Sequence, residues 1–150
     1  MSLKSWLDNR WLEVHEATSR EIADLLAVAD RSLSDAAIDA LSADARVGSA
    51  YTAALAIGAA ALAAEGYRAM RDRHHERVLD SLIHTLGVEQ AVVHRLHGIR
   101  RLRNSMTYER IGLVTEPESR QHVAEVATLR AKLVVWLNRH HPDLMQPSKS

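Results

Sequence analysis

The chain has 150 residues, 47% of them hydrophobic and 25% charged, a mixture that builds one folded core and that disordered chains lack. Its 19 basic and 19 acidic residues cancel, so no global field draws it to nucleic acid or anionic lipid, and any such contact must come from a local patch. The absence of cysteine excludes a disulfide scaffold, a thiolate metal site and a thiol nucleophile, and a cytoplasmic setting is expected.

Met1 to Arg10 carries Trp6, Asp8 and Arg10 where a secretory leader needs an apolar stretch. Apolar residues then recur at helical spacing: Leu7, Trp11, Val14, Thr18, Ile22, Leu25 and Ala29 form one stripe, which predicts a long helix from about Leu3 to Ser32. Ser34 and Asp35 interrupt it, and Ser42 is the expected N-cap of a second helix over Ala43–Glu65, stopped by Gly66. Val47 to Ala64 is uncharged and nearly long enough to cross a bilayer. Half of that stretch is alanine, however, which gains little from hydrocarbon, so it reads as a central buried helix and no membrane contact is expected.

Arg68 to His75 reads as a short charged connector, followed by a third helix over His75–Leu86 that ends at Gly87. A fourth helix spans Val88–Met106, and a loop containing Gly112 follows. Thr115 caps a last helix, with Pro117 in its first turn, that runs to Arg139 and stops at Pro142. The expected fold is all-α: an up-and-down bundle of four to five helices in one domain over residues 1–145, with a loose tail over 146–150.

Arginine outnumbers lysine by 16 to 3 and falls in two clusters. One is Arg68, Arg71, Arg73, His74, His75 and Arg77; the other is His94, Arg95, His97, Arg100, Arg101 and Arg103. Guanidinium groups suit bidentate phosphate recognition, so the clusters predict either a local anion site or the solvated surface of a protein whose genome prefers arginine. Within the fourth helix, Val92, Leu96, Ile99, Arg103 and Met106 share one narrow stripe. Arg103 therefore points where a core residue should, which is costly unless it meets a buried carboxylate or lines a groove. Asn104 and Tyr108 converge on the same end. His94 and His97 have metal-ligand spacing, but no carboxylate on that face completes a site, so both read as exposed polar residues and no metal or other cofactor is expected. No glycine-rich phosphate loop or dinucleotide fingerprint occurs.

The run Arg100-Arg101-Leu102-Arg103-Asn104-Ser105-Met106-Thr107-Tyr108-Glu109 resembles the signature of HEPN domains. These are helical bundles of prokaryotic toxin–antitoxin and defence systems and of some eukaryotic proteins. Their usual motif is an arginine, commonly with a polar neighbour such as asparagine, and a histidine about four to six residues further on. The resemblance extends over about residues 20–140. It includes Leu41-Ser42-Ala43-Asp44 leading into Tyr51-Thr52-Ala53-Ala54-Leu55, the closing Gly66-Tyr67-Arg68, the pair His74-His75, and Val114 to Leu137.

The resemblance implies a homodimer whose motif helices face each other across a cleft, and metal-independent RNA cleavage by arginine and histidine. It places the arginine at Arg103 and its polar neighbour at Asn104, with Arg100 and Arg101 beside them as RNA- or nucleotide-binding residues. The expected histidine falls on Tyr108, and a phenol with an ordinary pKa of about 10 is a poor general base at neutral pH. Tyr108 can still hold phosphate, stack on a base or donate a proton. Two roles follow: an RNA- or nucleotide-binding protein of a toxin–antitoxin or stress module, as a metal-independent RNase toxin or its degenerate relative, or else a non-catalytic dimeric scaffold that partners a nucleotidyltransferase antitoxin.

Overall fold

The computed structural model describes residues 2–105 and 114–147, with the side chains of residues 103–105 outside that description. Among the described residues the fold is an all-α bundle carrying one small two-stranded ribbon. The chain begins with α1 (Leu3–Asp8), closed at its start by a capping box between Ser2 and Ser5. After a turn at Arg10, where φ is 63°, β1 (Leu12–Val14) pairs antiparallel with β2 (Tyr67–Ala69).

The expected continuous helix over Leu3–Ser32 is therefore replaced by α1, β1 and a separate α2 (Ser19–Ala36). Trp11 and Val14 fit a helical stripe in the sequence, but the backbone of this segment is claimed by a distant partner. Met70 N donates to Trp11 O at 2.9 Å, and His15 N donates to Gly66 O at 2.8 Å. Thr18 then caps α2 by accepting from Glu21 N at 3.1 Å. Ser34 and Asp35 do not interrupt this helix. They lie inside its last turn, which is held down by buried Ala36.

Helix α3 (Ala43–Ala64) starts at the expected cap, Ser42, whose hydroxyl accepts from Ala45 N at 3.1 Å. It is buried on nearly every face, from Val47 through Ala63, and α2, α4, α6 and α7 pack around it. It is the one helix among the described residues long and apolar enough to cross a membrane, and about two thirds of that window is covered by the rest of the fold. The connector expected over Arg68–His75 contributes β2 and then a turn into α4 (His74–Asp80).

The third helix expected over His75–Leu86 is divided at Ser81 into α4 and α5 (Leu82–Thr85). Buried Ser81 Oγ donates to Val78 O at 2.7 Å and so competes for the carbonyl that a continuing helix would offer to residue 82. Helix α6 (Gln90–Ser105) and helix α7 (Glu116–His140) follow, with Thr115 and Glu118 forming the capping box of α7. A 3-10 turn over Pro142–Met145 returns Leu144 and Met145 to the core, and residues 148–150 of the expected tail lie outside the described chain.

Two apolar clusters hold these elements. The main one joins α2, α3, α5, α6 and α7 through residues such as Ile22, Ile57, Leu82, Leu96 and Leu133. The smaller one, Trp6, Leu12, Leu62, Ala69 and Val78, fastens the N-terminal segment beneath α4. Gly58 marks the closest approach of α4 to α3, since a Cβ there would lie 2.7 Å from Val78 Cγ1 and 2.9 Å from Val78 O. Among the described residues, one charged side chain is wholly buried in this frame. Arg46 donates to Ala36 O at 2.9 Å, Ile38 O at 2.8 Å and Glu116 Oε1 at 3.0 Å, tying the end of α2 to the start of α7.

Candidate functional site

The close seat of α4 on α3 brings the two arginine–histidine clusters together. Arg71 and Arg73 come from the turn before α4, His74, His75 and Glu76 from its first turn, Arg100 from α6 and buried Tyr51 from α3. They line one cleft of about 350 Å³, within the range of small-ligand sites. Three guanidinium groups face a single carboxylate there, so the lining is basic although the protein is neutral.

Most polar groups in the cleft are held by a named partner. Arg73 holds a left-handed backbone, φ 51° and ψ 34°, and forks onto Glu76 through Nε at 2.7 Å and Nη2 at 2.8 Å. The same bond pushes the Arg73 pKa up and holds the Glu76 carboxyl below its ordinary value, with Arg100 and His97 adding to the second effect. On α6, His97 Nε2 lies 2.6 Å from Asp80 Oδ1, and Arg100 Nε donates to His97 Nδ1 at 3.4 Å.

His74 Nδ1 lies 3.2 Å from Ala69 O. A carbonyl only accepts, so that nitrogen carries the proton, and the neutral ring has its lone pair on Nε2. His75 Nδ1 lies 3.0 Å from the Tyr51 hydroxyl. The two imidazoles meet edge to face, with ring centres 5.7 Å apart. Both rings also border two neighbouring hollows. One is an apolar groove of about 310 Å³ that includes Leu25, Val28, Leu55 and Ala59; the other is a cavity of about 450 Å³ that includes Glu13, Arg68 and Arg71.

Of the residues singled out in the sequence, Arg100 lines the cleft and Arg101 is exposed on α6 outside the lining. Leu96 and Ile99 are buried and Val92 is half-buried, so the apolar stripe of α6 faces the core as far as it is described. Arg103 and Asn104 occupy the last turn of α6, with their side chains outside the described structure, and Tyr108 lies outside the described residues altogether.

Three expectations are corrected. His74 and His75 open α4 and do not lie in a loop, and His97 is half-buried and paired with Asp80 where no carboxylate was expected. That carboxylate arrives from α4, a helix the spacing within α6 cannot reveal. Three further arginines of the clusters are engaged elsewhere: Arg68 with Glu13, Arg95 with Glu125, and Arg77 over the Trp11 ring at 4.4 Å. Sequence reasoning missed Tyr51 and Glu76 as members of the site. Their only signal was proximity to the first arginine cluster, which for Tyr51 exists only in three dimensions.

Comparison of the chain with family models, with curated proteins and with solved structures finds no match to any of them. The fold and the cleft therefore define a class by their own geometry: an all-α bundle with a basic, histidine-bearing cleft where α3, α4 and α6 meet.

Proposed function

We propose that this protein is an HEPN-like RNA-binding protein that works as a homodimer and takes the phosphodiester backbone of single-stranded RNA into the cleft beside Arg71, Arg73 and Arg100. The observation that carries the reading is the convergence of Arg100 of α6 with Arg71 and Arg73 before α4 in one concave lining. A purely solvated arginine surface has no reason to be concave or shared between elements so distant in sequence. Guanidinium forks match phosphate oxygens, and the adjoining apolar groove offers a seat for a base. Arg103, Asn104 and Tyr108 follow Arg100 along the chain, and the resemblance gives them RNA contacts as well. In the cell, the setting would be a cytoplasmic toxin–antitoxin or stress module.

The measurement is fluorescence anisotropy of a labelled single-stranded RNA across a salt series, with light scattering to count subunits. Arg71→Ala and Arg100→Ala should each weaken binding and reduce the salt slope by about 0.7 per lost phosphate contact. Binding that is absent at low salt, or indifferent to both changes, sinks the proposal.

One observation favours the scaffold reading. Glu76 and Asp80 already neutralise Arg73 and contact His97, as a structural network would. In that case the dimer partners a nucleotidyltransferase and retains no RNA. RNA incubated with the protein in EDTA, beside Arg103→Ala, Tyr108→Phe and Tyr108→His variants, separates an RNase from a scaffold.

A further inference from the structure

The cleft holds two imidazoles with different proton arrangements, and neither is a residue that the motif assigns to chemistry. His74 is anchored through Nδ1 to Ala69 O at 3.2 Å, which leaves Nε2 as the basic nitrogen of its neutral ring. His75 is anchored through Nδ1 to the Tyr51 hydroxyl at 3.0 Å. Where the hydroxyl donates to Nδ1, or the ring is a cation, Nε2 bears a proton, and that is the form the acid role uses. The ring centres lie 5.7 Å apart, both rings border the cleft that carries Arg71 and Arg100, and Tyr51 closes it from behind. A base and an acid that reach one site beside guanidinium groups are the parts that internal transesterification of a phosphodiester requires.

We propose that His74 and His75 act as general base and general acid in cleaving RNA bound in this cleft, an inference that rests on the RNA-binding reading above. His74 Nε2 takes the proton of a ribose 2′-hydroxyl while that oxygen forms a bond to the adjacent phosphorus. The bond from phosphorus to the 5′-oxygen breaks, and the leaving oxygen takes the proton from His75 Nε2. The products are a 2′,3′-cyclic phosphate and a 5′-hydroxyl, and the step consumes no water, oxidant or reductant. Arg71 and Arg100 hold the non-bridging oxygens. Tyr108 is then not needed as the base that the resemblance places at its position.

The test uses the full chain in EDTA with a 5′-labelled single-stranded RNA, and the same RNA carrying one 2′-deoxyribose at the cut position. His74→Asn and His75→Asn keep a polar group where each Nδ1 sits, so that the anchoring contacts and the fold persist, which circular dichroism checks. The expected result is cyclic-phosphate ends from the native protein, no cut at the deoxy position, and a rate about 10²–10⁴-fold lower in either variant with RNA still bound. RNA that binds and stays intact overturns the catalytic pair and leaves the binding reading standing. Cleavage at native rate in the folded variants also overturns the pair and moves the chemistry to Arg103 and Tyr108. Absence of RNA binding overturns the reading beneath both.

Discussion

Arg46 is fully buried, and two of its acceptors are carbonyls at and beyond the end of α2 that no helical N–H reaches. Removing it orphans Ala36 O, leaves Ile38 O with Leu41 N alone, and opens a hole between α2 and α7, so Arg46→Ala should lower stability by about 3 kcal/mol in urea titrations. Glu116 is half exposed and can turn to water, so the loss comes from the arginine's side of the bridge. In the sequence, Arg46 looks like the charged end of an apolar stretch. Its role depends on Glu116 and Ser119, which only the folded chain brings near. His84 carries the pH dependence. Burial pushes its pKa below the ordinary 6.5 against the pull of Asp80, so the native state favours the neutral ring, which meets Trp6 edge to face with ring centres 5.3 Å apart. Its contribution to stability is complete above about pH 6.5 and is lost as pH falls through the depressed value. The urea midpoint should drop between about pH 7.5 and pH 5.5, and His84→Asn should remove part of that slope. Glu76, held low by Arg73, adds a loss in the same direction at more acid pH, below its ordinary 4.5.

Among the elements, α4 is the one on which both the core and the cleft depend. Its approach to α3 requires the missing side chain at Gly58, where a methyl group would meet both the Cγ1 and the carbonyl oxygen of Val78. The backbone atom cannot swing aside, so Gly58→Ala should cost about 1–3 kcal/mol and displace the His74–His75 turn. A thermal melt measures the first effect, and weaker RNA binding by the folded fraction measures the second. Helices α3, α6 and α7 were legible because their signals are local: the Ser42 and Thr115 caps, the stop at Gly66, and an apolar period unbroken by outside hydrogen bonds. The first thirty residues were misread for the opposite reason. Trp11 and His15 satisfy backbone groups on Met70 and Gly66, and a period counted within one window carries no trace of so remote a partner. The division at Ser81 turns on one hydroxyl's choice of the Val78 carbonyl, a competition that spacing does not encode.

At the scale of the molecule, a neutral chain concentrates positive charge by folding. Arg71, Arg73 and Arg100 share one concavity while Arg68, Arg77 and Arg95 spend their charge on Glu13, Trp11 and Glu125. The sequence showed the two clusters but not which members of each would meet, because that depends on how α4 and α6 lie against α3. The centrality of α3 has a cost outside the native state. It is apolar enough to cross a bilayer, and while α2 covers most of one side, the next largest share of its shelter comes from α7, which starts only at Glu116. During synthesis, a greasy helix thus leaves the ribosome with only its α2 side covered, and the face that α7 will take stays bare until translation reaches residue 140.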